Sequence, residues 1–135
     1  MAGDDQSMSG GCQCGAVRFE ALEAPKWVAH CHCEDCRRAT STAIATYAGF
    51  RKESVRFPND APASYQSSPG VTRRFCSKCG SPISYEGERW PDEIHLFVCA
   101  FDDPSTFEPK AHVYVAEQLP WLHLTDDLPR HDKSS

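Results

Sequence analysis

The 135-residue chain has no long hydrophobic run. Its longest weakly polar stretch, STAIATYAGF (residues 41–50), is far too short to cross a bilayer. The start, MAGDDQSMSGG, is acidic and small rather than basic and then apolar, so it does not read as a secretory leader. A cytoplasmic protein without a membrane partner is the expectation. Positive charge is also scarce: 14 Lys and Arg stand against 19 Asp and Glu, a net charge of −5. That argues against a general nucleic-acid binder, which needs a basic surface to displace counterions. There is no internal repeat, no long low-complexity tract and no sustained helical period.

What is present is short and alternating. AVRFEA places Val17 and Phe19 on one face, and EIHLFVCAF separates Ile94, Leu96 and Val98 from His95, Phe97 and Cys99. TAIATYAGF, ESVRF, TRRF, PISYE and AHVYVA read as further strands. Ten prolines and eight glycines punctuate them, so the turns are as frequent as the strands are short. EDCRRAT and DPSTF read as one or two short helical turns. The expected fold is mainly β, in a single domain. The opening ten residues have the composition of a flexible arm, and RHDKSS that of a tail. The domain boundaries are set at residues 8–131, with an arm over 1–7 and a tail over 132–135.

Eight cysteines are the strongest compositional signal. With no leader visible, that number points to metal or redox chemistry rather than disulfides. Seven of them fall in three tight clusters. GGCQCGAVRF holds Cys12 and Cys14, which alternation along a strand would aim the same way. FCSKCGSP holds Cys76 and Cys79 with the spacing of a zinc knuckle, and Gly80 follows to relieve the turn. The two pairs together make a closed four-sulfur site, with zinc the default ion and iron the lesser candidate. The Cys76 pair could instead be a redox dithiol, but such motifs usually open a helix in a βαβ unit, and none surrounds this one.

The third cluster is CHCEDCRR, with Cys31, Cys33 and Cys36. Three protein ligands leave a place for water or substrate, the arrangement of catalytic zinc. Three thiolates on a divalent ion are net negative, and Arg37 and Arg38 could soften that charge or hold an anionic group of a ligand as substrate-binding residues; beside an open metal site this reading and that of solvated surface charge weigh about equally. Other partitions stay open, such as Cys12, Cys14, Cys31 and Cys33 against Cys36, Cys76, Cys79 and Cys99. Cys99 itself sits in an apolar run and reads as a buried, inert thiol. His30 and His32 point away from Cys31 and Cys33 if the stretch is extended, so they read as supporting or surface residues. His95, His112, His123 and His131 carry no ligand spacing.

These motifs, with DDP, HVYVAEQLPW and DDLPRH after them, resemble the glutathione-dependent formaldehyde-activating enzyme family, which includes the centromere protein V-type domains. The likeness covers about residues 8–131. It implies a zinc-stapled fold of short coiled β-sheets and two zinc ions per chain. Cys12, Cys14, Cys76 and Cys79 would hold a structural zinc, and Cys31, Cys33 and Cys36 a catalytic one. The implied reaction is the condensation of formaldehyde with glutathione to S-hydroxymethylglutathione, a carbon–sulfur lyase activity. A soft thiol is a natural fourth ligand for a three-sulfur zinc. Arg37, Arg38, Arg73 and Arg74 are candidates for the thiol's carboxylates, and His32 or a water for the proton shuttle.

Two other readings compete. A scaffold with two structural zincs would need a fixed fourth protein ligand, such as a histidine, on the middle site. A redox enzyme would need Cys99 as a reactive nucleophile, although apolar and acidic neighbours raise a thiol's pKa.

Overall fold

The computed structural model describes residues 8–134, so the arm over residues 1–7 lies outside the described residues. The fold is mainly β, as expected: the described residues form ten strands in two sheets and one α-helix. A small antiparallel sheet holds β1 (Met8–Gly11), β2 (Arg18–Ala21) and β5 (Val55–Arg56) in the order β1–β2–β5. The large sheet holds β3 (Trp27–Cys31), β4 (Ala45–Arg51), β6 (Ala63–Ser68), β7 (Val71–Phe75), β8 (Pro82–Gly87), β9 (Glu93–Phe97) and β10 (His112–Val113). Its order is β10–β3–β4–β9–β8–β7–β6, antiparallel except where β10 joins the edge of β3 in parallel.

Alternation divides the large sheet into two chemically different faces. Val28, Ala48, Phe50, Ile83, Ile94 and Leu96 point to one side and are buried with Phe19, Phe101 and Phe107 from the small sheet and its connections. Phe19 meets Phe101 edge-on at 5.0 Å, and Phe101 meets Phe107 at 4.2 Å. This is the hydrophobic core.

The register builds a single row across the opposite face. Trp27 pairs with Gly49, Gly49 with His95, His95 with Tyr85, Tyr85 with Arg73, and Arg73 with Tyr65. Gly49 is required in that row, because a Cβ there would meet the Trp27 indole at 2.2 Å. Its absence lets the ring lie over β4 and reach His95, 4.6 Å away.

The helix α1 (Glu34–Thr40) forms over the EDCRRAT stretch, and a 3-10 turn covers Pro104–Thr106 within DPSTF. Two expectations fail locally. The strand through EIHLFVCAF stops at Phe97, where a 3-10 turn over Val98–Ala100 begins. Cys99 is therefore exposed on a turn, not buried in a strand. AHVYVA contributes only His112–Val113 before Tyr114 takes a left-handed backbone, φ 58°, and another short turn follows. Along β10, His131 N–H donates to the His112 carbonyl, and the Lys133 carbonyl accepts from Tyr114 N–H. No helix among the described residues is long and apolar enough to cross a membrane.

Candidate metal centres and cavity

Cys12 and Cys14 do not sit on a strand. β1 ends at Gly11, and a turn with Gly15 at φ 85° brings the two sulfurs 3.6 Å apart. Cys76 follows β7 directly, and its carbonyl accepts from Gly80 N–H at 2.8 Å while Gly80 takes φ 81°. The two turns interlock: Gln13 N–H donates to Ser81 Oγ at 3.0 Å, and Cys14 Sγ lies 3.8 Å from Cys76 Sγ. All four sulfurs, Cys12, Cys14, Cys76 and Cys79, lie within 4.8 Å of one another.

That geometry suits a metal. Four sulfurs at about 2.3 Å from one zinc stand about 3.8 Å apart along each tetrahedral edge, close to the 3.6 and 3.8 Å found here. A disulfide would need about 2.05 Å. Backbone N–H groups of Val17, Lys78 and Cys79 donate to the Cys12 and Cys76 sulfurs at 3.3–3.4 Å, support that favours thiolates. Because Cys12 follows the small sheet and Cys76 the large one, an ion there ties the two sheets together.

The second cluster forms where β3 meets α1. Cys31 is the last residue of β3, Cys33 is the N-cap of α1, and Cys36 lies in its first turn. Cys33 Sγ takes the role usually given to a serine or aspartate oxygen, accepting from Cys36 N–H at 3.3 Å. The three sulfurs lie within 4.8 Å of one another, and no fourth ligand atom of the described residues joins the group. The alternative partition of the cysteines is not what the fold brings together, and the fixed histidine that a purely structural site needs is absent among the described residues.

Two side chains that carry no cysteine-like signal in the sequence complete this site. Tyr47 O–H donates to Cys36 Sγ at 3.2 Å, and Arg73, buried and opposite Tyr85, donates to Tyr47 O at 3.2 Å and reaches Cys36 Sγ at 3.7 Å. Hydrogen bonds from the Cys31 and Cys33 thiols, then from Tyr47 and Arg73, pull the Cys36 thiol down to about 2 against the effect of burial. The same sharing, with burial, pushes Cys31 well up. Burial opposes the charge of Arg73, yet Tyr47 and Cys36 hold its pKa above the ordinary guanidinium value.

The other candidates are placed as follows. Arg37 donates to the carbonyls of His32 and Glu117, both at 3.1 Å, and so braces the loop that carries the trio. Arg38 pairs with Glu34 at 2.9 Å on the exposed side of α1. Arg74 points to the other face of β7 and pairs with Glu86. His32 is fully buried, its Nε2 2.9 Å from His112 Nδ1, and His112 Nε2 is 3.0 Å from Asp126. His30 stacks on His112 at 4.9 Å. This histidine group lies behind the trio rather than in front of it.

In front lies a cavity of about 1030 Å³. Cys31, Cys33 and Cys36 line it together with Tyr47 and with Trp27, Tyr85, Arg73 and Tyr65 of the row. His95 also lines it, nearly buried, with Nε2 2.9 Å from Glu93 Oε1. Glu93 accepts from Trp27 Nε1 at 3.2 Å and pairs with Lys26 at 2.8 Å. Burial lowers the His95 pKa, and Glu93 opposes that shift.

The fold and site define a small, mainly β protein with one closed four-sulfur cluster and a second three-sulfur cluster open to a cavity, each of which could hold a metal ion. The comparisons with known proteins narrow this. Residues 7–117 match the family model "Glutathione-dependent formaldehyde-activating enzyme", and the chain belongs to that family. It is 28% identical to a Halomonas elongata protein named "Putative glutathione-dependent formaldehyde-activating enzyme", covering 87% of this chain and 80% of the relative. The crystal structure of a Rhodobacter sphaeroides protein superposes with a TM-score of 0.60 at 27% identity, covering 73% of this chain and 94% of that one.

Proposed function

We propose that the protein is a zinc-dependent carbon–sulfur lyase that joins formaldehyde to a small thiol, with glutathione the thiol named by its family. The observation that carries this reading is the open trio at the cavity wall, three sulfurs converging with no fourth protein ligand among the described residues. Cys12, Cys14, Cys76 and Cys79 hold the structural zinc, and Cys31, Cys33 and Cys36 the catalytic one. The catalytic zinc would supply a Lewis acid that keeps the incoming thiol deprotonated at neutral pH.

The protein's own groups do the remaining work. Tyr47 and Arg73 donate to Cys36, which stabilises the thiolate charge and fixes the direction of that ligand. Arg37 and the Glu117 carboxylate, which accepts from Glu34 N–H at 2.9 Å, lock the start of α1 and with it Cys33. In the reaction a carbon–sulfur bond forms, the thiol proton leaves sulfur, and the former carbonyl oxygen gains a proton; no electrons are exchanged. Two imidazoles line the cavity, His95 and His131; His95 is suited to carry that proton, because Glu93 engages its Nε2 and leaves Nδ1 for exchange. His32 is less suited, since it is bonded to His112 and does not line the cavity. The free thiols and the metal ligation fit a reducing cytoplasm.

Formaldehyde and thiols also combine unaided, so the test is a rate and not a yield. Exchange NMR with carbon-13 formaldehyde and glutathione should show faster interconversion of free and adduct carbon with enzyme present. Cys33→Ser should return the rate to background. Background exchange with the zinc-loaded wild type would refute the proposal.

A further inference from the structure

Resting on the open-site reading above, we infer that Arg89, held in place by the C-terminal segment, receives the glycyl carboxylate of glutathione when its sulfur fills the open place. Residues 129–134 lie beyond the span matched by the family model, which ends at residue 117. They run along the outer edge of β10: His112 N–H donates to the Pro129 carbonyl at 2.8 Å, and Val115 N–H to the His131 carbonyl at 3.0 Å. His131 and Ser134 thereby reach the cavity wall. The Lys133 carbonyl accepts from Tyr114 N–H at 3.0 Å and so supports a left-handed backbone that a bulky residue rarely adopts. In that conformation the Tyr114 side chain lines the cavity and packs against the cluster that contains Cys31 and Cys36.

Arg89 meets the hydroxyl end of that side chain. Its Nη1 reaches Tyr114 Oη at 3.4 Å, its Nη2 donates to Ser134 Oγ at 3.0 Å, and the guanidinium lies over the Trp90 ring at 5.1 Å. Tyr114, Ser134 and Trp90 all line the cavity, which places the exposed Arg89 on its rim. Arg18, Arg38, Arg51, Arg56 and Arg74 each pair with a carboxylate. The partners of Arg89 among the described residues are all neutral. A guanidinium carries five N–H donors in a planar fork, so two hydrogen bonds orient it and leave donors for an entering carboxylate, with no ion pair to break. The glycyl carboxylate of glutathione stands about 7 Å along an extended chain from its cysteinyl residue. That reach is comparable to the tyrosine side chain that runs from the trio's cluster to Arg89.

The test uses cobalt-substituted protein and two probes, glutathione and its glycyl monoethyl ester, which lacks the one negative charge in question. Binding is read from the sulfur-to-cobalt absorption bands, with circular dichroism confirming the fold of each variant. Arg89→Gln should weaken glutathione about fivefold, the worth of an exposed charge-assisted pair, and leave the ester almost unchanged. Ser134→Ala, which frees one side of the guanidinium, should show part of the same selective loss. An Arg89→Gln variant that binds glutathione as the wild type does, or that weakens both probes equally, would overturn this inference and leave the open-site proposal standing. A Ser134→Ala variant with wild-type affinities would overturn the part given to the C-terminal segment. Cobalt bands of the wild type that ignore both thiols would overturn the open-site proposal, and this inference with it.

Discussion

Tyr47→Phe removes one oxygen and leaves the ring that packs on Phe97, 4.6 Å away. The oxygen it removes is donor to Cys36 Sγ and acceptor from Arg73, both at 3.2 Å. Tyr47 is 4% exposed, so water has little room to take over either bond. A hydrogen bond to a charged partner is worth about 1.5–3 kcal/mol. Groups that support a metal ligand typically account for about 10–100-fold in metal affinity. The variant should therefore bind zinc at the trio about 10–100-fold more weakly, or about 1.4–2.7 kcal/mol. The four-sulfur site is an internal control, because its sulfurs are bonded by Ser81 and backbone N–H groups and not by Tyr47. Chelator competition should release zinc in two phases, and only the weaker phase should move in the variant. Unchanged release from the trio, or an equal shift of both phases, would refute the role given to Tyr47.

Cys12→Ser or Cys79→Ser should abolish cooperative melting, because an ion joining the two sheets is coupled to folding; a melt within a few degrees of wild type would count against a staple there. Cys33→Ser should keep the fold, since serine is itself a good helix N-cap, and should lose the second metal equivalent on elemental analysis. Gly49→Ala forces a Cβ against the Trp27 indole, which should destabilise the domain by about 1–3 kcal/mol and red-shift tryptophan emission; a neutral substitution would mean that Trp27 does not lie over β4. His95 has a folded pKa lowered by burial. Its neutral form thus contributes stability that is complete above about pH 6.5 and is lost as the pH falls through the lower folded value. Wild type should lose more stability on acidification than His95→Gln in denaturant titrations, and parallel pH slopes would contradict the assignment.

The cysteine sites were legible because their spacing is local. C-x-C and C-x-x-C fix the reach of the chain over two or three residues, whatever strand or turn surrounds them. For that reason Cys12 and Cys14 converge although they lie in a turn and not on a strand. The strands were legible where one face is wet, as in Arg18–Ala21. Trp27–Cys31 was missed because Val28 and Ala29 are buried on opposite faces, which erases the alternation. Ala63–Ser68 was missed because it is a largely exposed, polar edge strand. The parts of the site around the trio had no short-range signal at all. Tyr47, Arg73, Tyr85 and His95 come from four strands and meet only through register. His32 and His112 are 80 residues apart in sequence and 2.9 Å apart in space. Cys99 misled because an apolar run continued past Phe97 while the backbone turned.

The most direct test of one closed and one open centre is X-ray absorption at the zinc edge of the fully loaded protein, with and without added thiol. A four-sulfur site and a three-sulfur site predict about 3.5 sulfur neighbours per zinc, rising to about 4 when a thiol fills the open place. Four sulfurs per zinc before any thiol is added, or a count that thiol does not raise, would contradict it.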